Sequence, residues 1–217
     1  MSVRVLLVDD HQMMREGLRA LFASEPDLEI VGEAPNGRTA LDLVRSLSPD
    51  VVVMDVGMPD LNGIEATRHM TAEFGNVKVI ALSTHADKRY VHHMLEAGAV
   101  GYVLMIAAHD ELLRAVRAAS LGKTYLSPEI AGFVVERSTH AHAGSEVSAY
   151  STLGAREREV LQLVAEGKTS AETAKKMHIS MKTVETHRRN IVQKLGLHGT
   201  AELTKYAVRE GLTSLEG

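Results

Sequence analysis

The sequence predicts an α/β fold, a doubly wound five-stranded parallel sheet, followed by a small all-α four-helix domain with a helix-turn-helix. Three observations carry this expectation. Apolar runs alternate with helical periodicity five times in residues 1–122, residues 152–217 show helical periodicity alone, and the charge changes sign between them. Residues 1–151 hold 13 Lys+Arg against 20 Asp+Glu, a net of −7, while residues 152–217 hold 11 against 8, a net of +3. An acidic front joined to a basic tail suggests two domains, the second suited to a polyanion. The expected division is 1–122, a short helix and linker over 123–150, and 151–217.

Each element has its own signal. Val3 to Val8 is a β-branched and leucine-rich run without alternation, as in a strand buried on both faces. Met14, Leu18, Leu21 and Phe22 then recur at helical spacing. The cycle repeats with residues 28–34 before Ala40, Leu41, Val44 and Leu47, with 51–54 before a helix from Ile64, with 77–82 before 90–95, and with 100–104 before 112–119. A short helix fits 128–136, and the small polar stretch 138–145 reads as a linker. In the tail, Val160, Leu161 and Val164, then Ala171, Ala174 and Met177, then Val184, Ile191 and Leu195, then Leu203, Tyr206 and Ala207 mark four helices. Gly167, residues 178–180 and residues 196–199 separate them.

Composition excludes several functions. The chain has 217 residues, 45% hydrophobic and 24% charged, and no apolar run nears the roughly 20 residues that cross a bilayer. Aspartates at positions 9 and 10 interrupt the first apolar run, which argues against export and for a cytoplasmic protein. Without cysteine there is no disulfide scaffold, thiolate metal site or cysteine nucleophile. No tryptophan and 4% aromatics argue against a base-stacking surface.

In a doubly wound sheet the site lies beyond the carboxyl ends of the strands. The first strand ends at Asp9 and Asp10 and the third at Asp55, so three carboxylates should converge. Such crowding is unfavourable unless a cation neutralises it or one group stays protonated. Hard oxygen ligands of this kind suit Mg²⁺, and a carboxylate beside it can attack phosphorus to form an acyl phosphate.

In order and spacing, VLLVDDH, VVVMDVGMPDLNG, VIALST and GYVL resemble the receiver domain of bacterial two-component response regulators over residues 3–122. The resemblance implies that Asp55 is the phosphoacceptor, that Asp10 binds Mg²⁺ directly with Asp9 in support, and that the Gly57 carbonyl adds a ligand. It further implies a hydroxyl switch at Ser83 with the aromatic Tyr102, a tight loop after Asp55 that uses a fixed φ at Pro59 and a permissive φ at Gly63, and a sensor histidine kinase as phosphoryl donor. One position departs from the family. Where a lysine ends the fifth strand and pairs with the phosphoryl oxygens, this chain has Met105, which carries no charge. Weak phosphoryl coupling, an introduced substitution, and compensation by another residue are all open at this point. With glycine at 57, acyl phosphate lifetime falls to His85, other neighbours and the metal.

In the tail, the helix expected from residue 181 has two unlike faces. Val184, Ile191 and Leu195 point inward, while Lys182, Glu185, Thr186, Arg189 and Gln193 form a polar face able to meet major-groove base edges. Residues 153–161 (LGAREREVL) and 179–187 (ISMKTVETH) resemble the LuxR-type, or NarL/FixJ-type, DNA-binding domain over about 151–215. By that resemblance Lys182, Glu185, Thr186 and Arg189 approach bases of double-stranded DNA, and Thr183, Arg188 and Lys194 face its backbone. His187 reads as a packed histidine, and Gly154–Ala155 replaces the family's Thr–Pro helix start. The family's final helix commonly pairs two copies, so a homodimer is expected in the active state. The function implied is a response regulator whose phosphorylation controls DNA binding and transcription. The alternatives are a phosphorylation-independent DNA-binding regulator and a Mg²⁺-dependent phosphatase of the haloacid-dehalogenase type. The latter needs an acidic residue where Gly57 stands.

Overall fold

The computed structural model describes residues 2–84, 87–105, 108–140 and 152–213, and the side chains of all of these except 108–109 and 135–140. His85 and most of the expected linker 138–145 lie outside the described residues. The chain divides into two compact units, Met1–Met58 with Asn62–Ala141, and His142–Gly217 with Pro59–Leu61.

The first unit runs β1 (Val3–Val8), α1 (Gln12–Ala23), β2 (Leu28–Ala34), α2 (Gly37–Leu47), β3 (Val51–Asp55), α3 (Gly63–Glu73), β4 (Lys78–Ser83), α4 (Lys88–Glu96), β5 (Gly101–Leu104), α5 (Ala108–Ser120), β6 (Tyr125–Leu126) and α6 (Pro128–His140). The sheet is parallel, in the order β2-β1-β3-β4-β5-β6. The five expected strands are all present, and β6 extends the sheet by pairing Gly101 with Tyr125 and Tyr102 with Leu126. Two residues are too short a run to show strand periodicity in a sequence. The expected helix 128–136 continues to His140, into the stretch read as linker.

Apolar runs buried on both faces make the sheet. Val5, Leu7, Val51, Val53, Ile80, Leu82 and Val103 form one core with Leu18, Leu21 and Phe22 of α1 and Leu112, Leu113 and Val116 of α5. The helices start where polar side chains satisfy free amides: Asn36 accepts from Thr39 N–H, Asn62 from Glu65 N–H and Asp87 from Arg89 N–H. Because β1 connects to β2 on one side and β3 lies on its other side, the topological switch point falls between β1 and β3.

The second unit contains α7 (Ala155–Ala165), α8 (Ser170–Met177), α9 (Met181–Leu195) and α10 (Thr200–Arg209). Its core joins Leu153, Val160, Leu161 and Val164 to Ala174, Met177, Val184, Ile191, Leu203, Tyr206 and Ala207. Ala171, expected inward, is exposed; Thr173 is buried instead, so the stripe on α8 is 173, 174 and 177. His178, in the left-handed region at φ 54°, ends α8, and Ser180 starts α9 by accepting from Thr183 N–H at 3.1 Å. Gly196, at φ 65°, ends α9, as a C-terminal glycine commonly does.

Candidate functional site: an acidic strand edge and a polar recognition helix

The parallel register brings the acidic residues together. Val8 pairs with Met54, so Asp9 follows one step beyond on β1 as Asp55 does on β3, at the switch point. Asp55 pairs with Leu82, and Ser83 with Leu104, which puts the β4 hydroxyl and Met105 along the same edge. Asp9 is buried, and its Oδ1 accepts from the His11 amide at 2.7 Å. Asp55 accepts from the Val56 amide at 2.8 Å. Burial, then the neighbouring Asp9 and Asp10 charges, push the Asp55 carboxyl up to about 7, against amide hydrogen bonds from Val56 and Gly57 that pull it down. Asp9 is raised as well, chiefly by burial. The edge therefore holds more negative charge than its own donors balance.

Two details fit a cation at this edge. The buried Oδ1 of Asp10 makes no hydrogen bond, although His11 Nδ1 stands 3.0 Å away. Ligand atoms of Asp9, Asp10 and His11 lie within 4.8 Å of one another. His11 was not singled out from the sequence, though its place directly after the Asp pair was a signal. Largely exposed, it stands 3.3 Å from Asp9 Oδ1 as well, and the Asp10 charge raises its pKa.

The loop after Asp55 explains its glycines differently from expectation. A Cβ on Gly63 would stand 2.0 Å from the Asp55 carbonyl oxygen, so close approach requires glycine there. The positive φ in this loop, 74°, falls on Asp60, and Gly63 lies outside that region. At Gly57 a Cβ would meet nothing within 4 Å. A side chain at 57 would therefore start out in open space, two residues past Asp55.

Tyr102 is fully buried and hydrogen-bonded to the buried Ser83 hydroxyl. Burial raises its phenol well above the usual range. Met105 is partly buried and packs against the core that includes Leu112, Leu113 and Val116. Lys78 begins β4, at the strand end opposite Asp55, and the Lys88 ammonium lies 4.6 Å from the Phe133 ring centroid.

On α9 the two faces separate as expected. Val184 and Ile191 are buried and Leu195 is partly buried, while Lys182, Glu185, Thr186 and Arg189 are exposed. Arg188 and Thr183 are half-buried. The Glu185 carboxylate accepts from the Ser170 hydroxyl, Thr186 Oγ1 donates to the Lys182 carbonyl at 2.9 Å, and Thr183 Oγ1 lies 2.8 Å from Ser180 Oγ. His187 is half-buried, and its Nδ1 is buried without a hydrogen-bond partner.

Lys194 has partners the sequence did not reveal. Its ammonium donates to Glu157 Oε2 at 2.7 Å and to the Thr152 carbonyl at 3.2 Å. Glu157 also accepts from the Gly154 amide at 2.8 Å, which supplies half of a capping box where the capping hydroxyl is missing. Burial raises the Glu157 carboxyl, but Lys194 and the Gly154 amide outweigh it and hold the group below its ordinary value. The α10 residues Leu203, Tyr206 and Ala207 are buried in the unit's own core.

Family comparison agrees with this division. Residues 5–117 match the response regulator receiver domain, and residues 151–207 match the bacterial regulatory proteins of the luxR family. The transcriptional regulatory protein LiaR of Bacillus subtilis is 40% identical over 98% of this chain and 100% of its own. A two-component response regulator of the LuxR family from Aurantimonas is 37% identical over 64% of this chain and 99% of its own, with a TM-score of 0.61. RcsB of Salmonella enterica serovar Typhimurium, solved bound to a promoter, shares the fold at 23% identity and a TM-score of 0.61, over 95% of this chain and 98% of its own. A LuxR-family domain has no place in the phosphatase alternative, and no helix among the described residues is long and apolar enough to cross a membrane. The chain belongs to the NarL/FixJ family of two-component response regulators, transcriptional regulators that join a receiver domain to a LuxR-type DNA-binding domain.

Proposed function

We propose that Asp55 is the residue through which this regulator is phosphorylated, and that the observation carrying this is its place on the β3 edge beside Asp9 and Asp10. The carboxylates of Asp9, Asp10 and Asp55, with the Gly57 carbonyl, would hold Mg²⁺, which would neutralise the crowded charge and share phosphoryl oxygens. The unbonded Oδ1 of Asp10 supports that fit. A carboxylate oxygen of Asp55 attacks phosphorus as the bond from phosphorus to the donor breaks, and the donor leaves with the electron pair. The donor would be the phosphohistidine of a sensor kinase, or acetyl phosphate in vitro. Ser83, hydrogen-bonded to the buried Tyr102, would meet the phosphoryl group, and Met105 would leave its oxygens without a lysine. That gap supports weaker coupling than a complete motif gives.

The output unit would act on double-stranded DNA as a pair of copies, in the cytoplasm. Lys182, Glu185, Thr186 and Arg189 would reach base edges, with Thr183 and Arg188 on the backbone. Lys194 has three donors, two of them used inside the domain, which leaves one for a phosphate oxygen. Since the inner face of α10 is buried, pairing would use its outer face, where Ala201, Lys205 and Arg209 are exposed. The proposed bounds remain 1–122 for the receiver, 123–150 for the connection and 151–217 for the DNA-binding domain.

Incubation with acetyl phosphate and Mg²⁺, followed by intact-mass measurement, tests the acceptor. The expected result is one phosphate adduct on the wild type and none on Asp55→Asn. The same adduct on the variant would assign the phosphate elsewhere.

A further inference from the structure

The first residue of α9 is an exposed methionine. Met181 is 55% exposed and, among the described residues 152–213, is the one large apolar side chain so open to water. It does nothing evident for the fold. It stands outside the unit's core cluster, whose α9 members are Val184 and Ile191 with Val192 and Leu195 at the margin. Nor does it serve the helix end: Ser180 does the capping, and a first turn favours proline or an acid.

Its position is informative. Residues 181, 185, 188 and 189 follow the i, i+4, i+7, i+8 spacing of one helix face. Met181 therefore carries the face of Glu185 and Arg189 one turn toward the N-terminus. In helix-turn-helix proteins the N-terminal residues of the recognition helix contact base edges. Among the groups that base pairs offer in the major groove, the thymine C5-methyl is the apolar one. An unbranched, polarisable methionine can adapt its shape to such a methyl.

We propose that Met181 is a specificity-determining residue that packs its thioether end on the C5-methyl of a thymine in each half-site. The proposal rests on α9 being the helix that enters the major groove. Single exposed apolar residues are otherwise ordinary, as Met13 and Leu121 are here. The test must therefore detect the methyl group itself.

Sequences bound by the full-length chain are selected from a random duplex pool. Each thymine is then replaced in turn by deoxyuridine, which removes only the methyl. Affinities are measured for the wild type, Met181→Ala and Met181→Gln. One thymine per half-site should lose about fourfold in affinity for the wild type, the effect of one buried methyl. The same replacement should leave both variants unaffected, and all three proteins should share one salt dependence. Selected sites without thymine, or deoxyuridine effects equal in wild type and variants, would overturn the proposal while leaving DNA binding intact. No salt-dependent binding by the wild type to any duplex would overturn the reading of α9, and this proposal with it.

Discussion

Asp55, Gly57 and Gly63 show how differently three neighbouring positions can be constrained. Gly63→Ala would drive a Cβ into the Asp55 carbonyl, whereas Gly57→Ala would point one into open space. Denaturant unfolding should show the first change costing about 2 kcal/mol or more and the second less than about 0.5 kcal/mol. The raised Asp55 carboxyl makes a pH prediction for the cation-free protein. Its folded pKa of about 7 exceeds the ordinary 3.8, so the folded state binds more protons between those values. Stability therefore falls as pH rises from about 4 to about 7, and stays level above. Thermal melts with chelator should show that decline, and Mg²⁺ should raise the melting temperature more at pH 8 than at pH 5. Asp55→Asn should flatten the profile, gaining about 1–3 kcal/mol at pH 8. At Met105 the side chain is packed rather than idle, so Met105→Lys should cost about 1 kcal/mol of stability. It should also widen the gap in DNA affinity between phosphorylated and unphosphorylated protein, and an unchanged gap would mean that the pocket is balanced by another group. The sequence made the three aspartates legible because strand ends are fixed by where apolar runs stop. It did not reveal that Gly63 is required by close approach or that Met105 packs inward, since both depend on distances between elements.

Element boundaries and faces were legible where periodicity is strong. Helix α9 shows both faces in its sequence because Val184 and Ile191 recur at core spacing between polar residues. Strand β6 has two residues and no period, and Ala171 is as apolar as its buried neighbour Ala174, so neither could be placed from sequence alone. Lys194 was the instructive case: a lysine on a basic helix reads as a phosphate contact, and its second role, with a partner on α7, shows only in the structure. The ion pair with Glu157 ties α9 to the start of α7, where glycine supplies no hydroxyl. Lys194→Met should destabilise the second unit by about 1–3 kcal/mol, because it leaves the buried Glu157 carboxylate without its cation. Arg188→Ala should leave stability within about 0.5 kcal/mol and lower the slope of log affinity against log salt by about 1. Equal stability losses in the two variants would remove the structural role assigned to Lys194.

At the scale of the whole molecule, two units carry opposite charge and different chemistry. The acidic unit concentrates charge at one sheet edge, and the basic unit sets a polar helix face on its own core. That division was visible in the sequence, since a switch from alternating strand and helix signals to helix alone coincides with the change of charge. The central claim is that phosphorylation of Asp55 controls DNA binding by the second unit. The most direct measurement is the affinity of the full-length chain for a duplex selected by it, with and without acetyl phosphate and Mg²⁺, in wild type and Asp55→Asn, with intact mass recorded on each sample. The account predicts an affinity change in the wild type that tracks the phosphate adduct and is absent from Asp55→Asn. A fully phosphorylated wild type with unchanged affinity, or an equal change in Asp55→Asn, would contradict it.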